Sequence, residues 1–387
     1  MGYPCSWSVA IGLVLAMHAG GAIAQTPANA FEAQLPALCA GAAPGSQLSL
    51  RCADIFSVPG TTGARLAAAG QRLAEIPGQA RVATRDSDPG QAVLQGIAGG
   101  WSLHLSADLG RIRRRAGANE AAFDADTGSL TFGADRQLGA SWQVGAALHH
   151  IREDLDFRES GGEASTRFTG GFLNASRSLG QAWSLSGYVG RLQGGYRLTR
   201  EISYTLPLAA GPLQVSAIAS ADPDARRTVG GLAAGGQWNH KGWDAGATAG
   251  VDVGSTRIDP YSENGGGGFA VSVPGREVET RRSRIDVVLG RTISTAYGVL
   301  QPSLQIGWRR EHANPRRNVT VRVLQDLLQT PVIFATEDPD RAWGEVALGG
   351  VVTLTRGHSG FIQWRQRFGH SFLDERMLAL GWRVELP

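Results

Sequence analysis

Eight histidines and three cysteines are the side chains of this 387-residue sequence most suited to chemistry, and their spacing assigns them little of it. His149-His150, His312 and His370 fall near the ends of predicted strands, where an outer-membrane protease of the Asp/His type would need them. Isolated loop histidines are more often solvated than catalytic. No H-E-x-x-H, G-x-S-x-G or Walker sequence accompanies them. The glycine run Gly265–Gly268 sits in a predicted surface loop, without the strand–turn–helix context that a phosphate cradle requires. Cys39 and Cys52 would meet an oxidising compartment after export, and pairing them closes a short loop, so a disulfide is expected. No histidine or second cysteine pair lies near them to make a metal site. The expectation is a chain with no catalytic residue, no cofactor and no bound metal.

The elements that must position these residues begin with an address. Val9 to Ala19 is a short apolar stretch, followed by Ala22-Ile23-Ala24 and Gln25. This reads as a secretory signal over 1–24 with cleavage after Ala24. No later segment approaches the length of apolar residues that a membrane helix needs. Residues 25–100 are rich in Ala, Gly and Pro, and their one convincing helix is predicted over 62–76, with Leu66, Ala69, Leu73 and Ile76 on one face and Pro77-Gly78 at its end. Lys and Arg number 37 against 34 Asp and Glu, a net charge of +3 that is too even for a nucleic-acid binder. Charged residues are only 18% and glycines reach 53, which argues against a coiled coil or a disordered acidic tail.

From Trp101 onward the apolar pattern has period two. Trp101, Leu103, Leu105, Ala107 and Leu109 alternate with Ser102, His104, Ser106 and Asp108, and Trp243 to Gly254 alternates in the same way. Twelve such segments are predicted, near 101–113, 125–138, 141–153, 165–178, 181–200, 227–240, 242–256, 279–294, 297–312, 341–355, 358–368 and 374–386. Each is long enough to cross a bilayer as a tilted strand. Five connections are tight (Gly139-Ala140, Leu179-Gly180, Lys241-Gly242, Thr295-Ala296 and Arg356-Gly357), and the others run to long polar loops such as Asp154–Ala164, Glu201–Arg226, Arg257–Thr280 and Glu311–Arg341. Short turns on one side and long loops on the other mark an outer-membrane barrel. Trp142, Trp183, Trp243, Tyr297 and Phe361 recur just past the tight turns and are expected to form an aromatic girdle. The fold class is therefore all-β, a transmembrane antiparallel barrel of about twelve strands over 101–387, preceded by a short, partly helical segment.

The same alternation turns Arg284, Arg309, Arg365, Arg367 and Arg383 inward, with Asp286, Glu345 and Glu385 among them. Two readings stand: a charged channel that holds a plug or selects anions, or the plainer one, an Arg–carboxylate network bracing the wall. In the fifth segment the apolar phase moves from Leu185 and Val189 to Leu192 and Leu198, which predicts a bulge near Gly190 or Gly194.

Phe123-Asp124-Ala125-Asp126-Thr127-Gly128-Ser129-Leu130-Thr131-Phe132-Gly133-Ala134-Asp135-Arg136-Gln137-Leu138-Gly139, followed by Trp142 to Leu148, resembles the start of the autotransporter β-domain of type V secretion. The likeness extends more weakly over 101–387. It implies a barrel in the outer membrane of a Gram-negative cell that delivers an N-terminal passenger to the surface, with a helix threading the pore. Between the expected signal and the barrel the resemblance leaves only residues 25–100, with the disulfide loop and the helix, and these are expected to be the plug or miniature passenger. Expected partners are outer-membrane lipid and lipopolysaccharide, the barrel assembly machinery and the export translocon, with the chain a monomer. The alternatives are a porin-like channel and a surface adhesin acting through its long loops.

Overall fold

The computed structural model describes residues 27–56, 100–117, 120–158, 162–180, 182–208, 211–313, 318–338, 340–354 and 357–386. The expected signal over 1–24 and the expected helix over 62–76 lie outside the described residues. In chain order come helices α1 (Pro27–Ala40) and α2 (Gln47–Phe56), then strands β1 (Trp101–Arg114), β2 (Phe123–Leu138), β3 (Trp142–Phe157), β4 (Glu163–Leu179) and β5 (Trp183–Leu208). These are followed by β6 (Gly211–Ala221), β7 (Asp224–His240), β8 (Trp243–Ile258), β9 (Tyr261–Ser262), β10 (Asn264–Gly265), β11 (Val271–Val273), β12 (Arg276–Arg291) and β13 (Ile293–Thr295). The last are β14 (Gly298–Glu311), β15 (Asn318–Val323), β16 (Pro331–Ala335), β17 (Ala342–Leu354), β18 (His358–Phe368) and β19 (Leu373–Glu385).

Twelve of these strands form the wall, in the order β1, β2, β3, β4, β5, β7, β8, β12, β14, β17, β18, β19, each antiparallel to its neighbours. Pairing of β1 with β19, from Ser102↔Glu385 to Arg114↔Leu373, closes the sheet into a barrel. Four of the five tight connections carry a glycine in the left-handed region (Gly139, Gly180, Gly242 and Gly357), the backbone that a short reversal between twisted strands demands. Outside the wall, Leu148, Leu173, Leu232, Val251, Ile285 and Ile306 are exposed. A continuous apolar exterior of this kind is what lipid solvates.

At the tight-turn end, Trp101, Trp142 and Trp243 each lie under the guanidinium of their cross-strand partner, Arg136, Arg177 and Arg291, at 5.4, 5.3 and 5.6 Å from the ring centres. Trp183 meets Trp238 edge-on at 5.7 Å. Phe361 does not join this girdle. Its neighbour Ile362 takes the exposed outer face, and Phe361 lies over Gly381 on the lumenal side.

The predicted bulge is absent as well. β4 and β5 keep one register from Glu163↔Thr199 to Leu179↔Trp183 without a break. The apolar phase shifts because the inside of the barrel is apolar at that height: Leu192, Tyr196 and Leu198 join Ile151, Phe168 and Phe172 in one lumenal cluster.

The long connections expected to be polar loops carry further strands. β5 leaves the wall after pairing with β7 and continues as a hairpin with β6, from Leu198↔Ala221 to Leu208↔Gly211. β16, β15, β11 and β9 make a separate four-stranded sheet. Against these pack α1 and α2, through Leu35, Leu38, Leu48, Cys52 and Ile55 on the helices and Ile202, Phe269, Val271, Val323, Val332 and Phe334 beneath. The helical pair with the strands beneath it caps the long-loop end of the barrel.

Candidate functional site: the lumen and the outer mouth

Arg309 is the hub of the charged wall, 2.8 Å from Asp286 and 3.1 Å from Glu345. Register explains the geometry: Asp286, Gly307 and Glu345 lie in one row across β12, β14 and β17, and Arg309 sits one inward position further along β14. A side chain at position 307 would collide with the ion pair, since a Cβ there would stand 2.5 Å from Asp286 Oδ1 and 2.7 Å from Arg309 Nη1. Gln305 donates to Asp286 at 3.0 Å and Trp343 Nε1 to Glu345 at 3.2 Å, so the carboxylates are held by several donors. That is the condition under which buried charge is tolerated.

The other inward charges divide among separate partners. Arg284 lies 3.5 Å from Asp252, Arg367 2.6 Å from Glu375 and Arg282 3.5 Å from Glu311. Trp343 stands between two guanidinium groups, Arg282 at 4.8 Å and Arg367 at 5.0 Å. Arg365 donates to Gln363 at 3.3 Å and Arg383 to Ser102 at 2.7 Å. Glu385 sits at the tight-turn end beside Ser102 in register, apart from the Arg309 group. Sequence reasoning named the arginines and missed Asp252, Arg282, Glu311 and Glu375. The signal was the same parity, since Asp252 alternates with Val251 and Val253.

The histidines do not converge. His149 is buried against Phe172, its Nδ1 2.6 Å from Thr131 Oγ1, while His150 points outward to Thr169 at 2.8 Å. His312 meets Ser283 at 2.8 Å. His370 lies 2.9 Å from Asp340, yet its Nδ1 accepts from the backbone N–H of Phe372 and Leu373 at 3.3 and 3.2 Å, which makes it the cap of a turn. Burial, then the Arg367 charge, pushes its pKa down to about 4, so it is neutral at physiological pH. Among the described residues, no three His, Cys, Asp or Glu side chains are grouped to hold a metal ion.

At the outer mouth, Cys39 and Cys52 are joined by a disulfide with their Cα atoms 5.6 Å apart, tying α1 to α2. Ser46 caps α2, its Oγ accepting from Ser49 N at 3.1 Å. The β15–β16 turn grips the link between the helices: Leu327 N donates to Gly41 O at 2.7 Å, Ala43 N to Gln325 O at 3.0 Å and Leu48 N to Gln325 Oε1 at 2.8 Å. Asp326, wholly buried, shapes that turn by accepting from Leu328 N and Thr330 N at 2.9 and 2.6 Å. Gly265–Gly268, far from a free loop, turns under α2 with every φ positive; a Cβ on Gly268 would stand 2.6 Å from Leu48 N. Beneath it, Arg200 grips Glu263 through Nε at 3.1 Å and Nη2 at 2.5 Å and also donates to Phe269 O at 2.9 Å.

A closed twelve-stranded wall, apolar outside, with tight turns at one end and an elaborated cap at the other, defines an integral outer-membrane barrel. The autotransporter beta-domain family matches residues 104–365, and the chain belongs to it. Its fold is similar to the β-domain of the Bordetella autotransporter BrkA, at 16% identity and a TM-score of 0.53 over 74% of this chain and 100% of that one. It is also similar to the translocator domain of the autotransporter NalP from Neisseria meningitidis, at 15% identity and a TM-score of 0.55 over 74% of this chain and 88% of that one. No curated protein matches the chain in sequence.

Proposed function

We propose that this barrel, a translocator and not an enzyme, carries its own N-terminal segment across the outer membrane and keeps residues 27–56 as a docked cap. One observation carries the reading. The helical pair packs on the long-loop strands, yet the same chain enters β1 at Trp101, at the tight-turn end. The residues between, 57–99, have to link the two ends of the barrel. Even if wholly helical they would reach about 65 Å, ample to pass an apolar band roughly 25 Å tall. A route outside the wall would place Arg65, Arg72, Arg81 and Arg85 in hydrocarbon, so the lumen is the favoured path. Outer-membrane lipid, lipopolysaccharide, the barrel assembly machinery and the export translocon are the partners this role requires, with the chain acting as a monomer.

The test is an epitope tag placed before Ala28, probed on intact cells and again after permeabilisation, with a control tag between Arg158 and Gly162. Labelling of both on intact cells is expected. Labelling of the control alone would put the N-terminal segment in the periplasm and overturn the reading.

A further inference from the structure

The outer face carries a cluster of arginines that the barrel wall itself has no use for. On β3 and β4, Arg152 and Arg167 stand directly opposite each other in register. On β7 and β8, Arg226 and Arg257 do the same. Between the two pairs, Arg191 on β5 faces Thr228 on one side and Gly171 on the other. All five side chains are exposed on the outward face. Like charges directly opposite one another weaken a sheet, and this wall places two such pairs within five consecutive strands.

Their height is set by the apolar exterior. Arg191 is the first outward position beyond exposed Val189, and Arg152 lies two outward positions beyond exposed Leu148. Arg257 follows Val253 and Ser255 in the same way. The cluster therefore sits at the polar edge of the lipid-facing band, at the end opposite the tryptophan girdle. With the loops outward, that edge belongs to the outer leaflet. Arg152 has an ion pair to Asp154 at 2.8 Å, and Glu277 borders the cluster next to Arg257. Among the described residues, Arg167, Arg191, Arg226 and Arg257 form no ion pair. The site opposite Arg191 also leaves room, since a Cβ on Gly171 would meet only Ala147 O at 3.8 Å.

We infer that β3, β4, β5, β7 and β8 form an outward-facing site for the phosphorylated sugar headgroup of the outer-leaflet glycolipid. Guanidinium groups bind phosphate bidentately, and paired arginines at fixed strand spacing suit a headgroup bearing two phosphates on a rigid disaccharide. A phosphate between each pair turns a like-charge repulsion into two charge-assisted contacts. The acyl chains would then lie along the apolar wall beneath. This inference needs only the orientation of the barrel and is independent of whether the N-terminal segment is exported.

The full chain, refolded in neutral detergent and verified by heat-modifiable migration, is titrated with fluorescent lipopolysaccharide whose lipid A carries both phosphates. R226Q/R257Q and R152Q/R167Q are each expected to bind roughly tenfold more weakly, while R111Q, whose guanidinium is already paired with Asp126 at 2.9 Å, stays at the unmodified level. Removing both phosphates from the lipopolysaccharide should weaken binding to the parent chain by at least as much and erase the difference between parent and variants. Equal binding of the dephosphorylated probe overturns the site. So does equal binding of phosphatidylglycerol vesicles with the same arginine dependence, or displacement of the glycolipid by millimolar inorganic phosphate.

Discussion

Replacing Glu263 with alanine tests how the cap is fastened to the wall. Glu263 and Arg200 are 2% and 4% exposed, and between them they hold Phe269 O and Val271 N. Removing the carboxylate leaves a guanidinium buried with one carbonyl acceptor and frees the Val271 N–H. Losing one partner of a buried ion pair costs about 3–5 kcal/mol, while replacing both partners with apolar groups of like volume is close to neutral. The substitution lies between β9 and β10, beneath the cap and outside the twelve-stranded wall, so its effect is local. Amide exchange followed by mass spectrometry on the refolded chain should show protection of residues 35–55 and 263–273 falling roughly hundredfold or more, since each 1.4 kcal/mol is a factor of ten. Strands β14, β17 and β18 should exchange as before. R200M/E263M should recover most of the protection. If the single and double variants lose protection equally, or the wall loosens along with the cap, the reasoning from the buried pair is wrong.

Two further outcomes follow from the same geometry. The Cys39–Cys52 bond spans 13 positions, and closing a loop of that size is worth about 3 kcal/mol through the unfolded chain. The C39A/C52A variant should be clipped faster by protease between α1 and α2, with no change in the heat-modifiable shift of the barrel. His370 is held neutral, its pKa lowered from 6.5 to about 4. A depressed histidine pKa adds stability that is present above pH 6.5 and lost as pH falls from there toward 4. Proteolysis of the Gly369–Phe372 turn should therefore rise across that window in the parent chain, and H370Q should flatten the pH dependence; an unchanged slope would refute the assignment.

The wall was legible in the sequence because each strand carries its own signal. Trp243 to Gly254 alternates without interruption, and a glycine marks four of the five tight turns. Inward placement of Arg309, Asp286 and Glu345 followed from parity alone. Their contact did not, because Arg309 reaches both carboxylates only through the order of strands and the register between them. The cap was not legible. Pro36 and a weak apolar pattern hide α1, although Ser46 followed by Leu48, Cys52 and Ile55 at helical spacing was a signal that could have given α2. Strands β9, β10 and β11 have two or three residues each, too few to show any period. The bulge near Gly190 failed for a different reason: it assumed a lumen polar along its whole length, whereas Phe168 and Leu192 fill the outer half with hydrocarbon.

The pairing of β1 with β19 also sets the order in which the molecule can be made. These strands stand at opposite ends of the barrel sequence, and bringing them together costs about 5 kcal/mol of chain entropy before a single rung rewards it. Every other neighbour in the wall except β5–β7, β8–β12 and β14–β17 is separated by a short reversal and can zip locally. Closure is thus the last and slowest step, governed by topology more than by the strength of any contact. Until it happens, both terminal strands present rows of bare amide and carbonyl groups that hydrocarbon cannot satisfy. The half-made sheet has no stable home in water or in lipid, and its two bare edges stay open to mispairing until they meet.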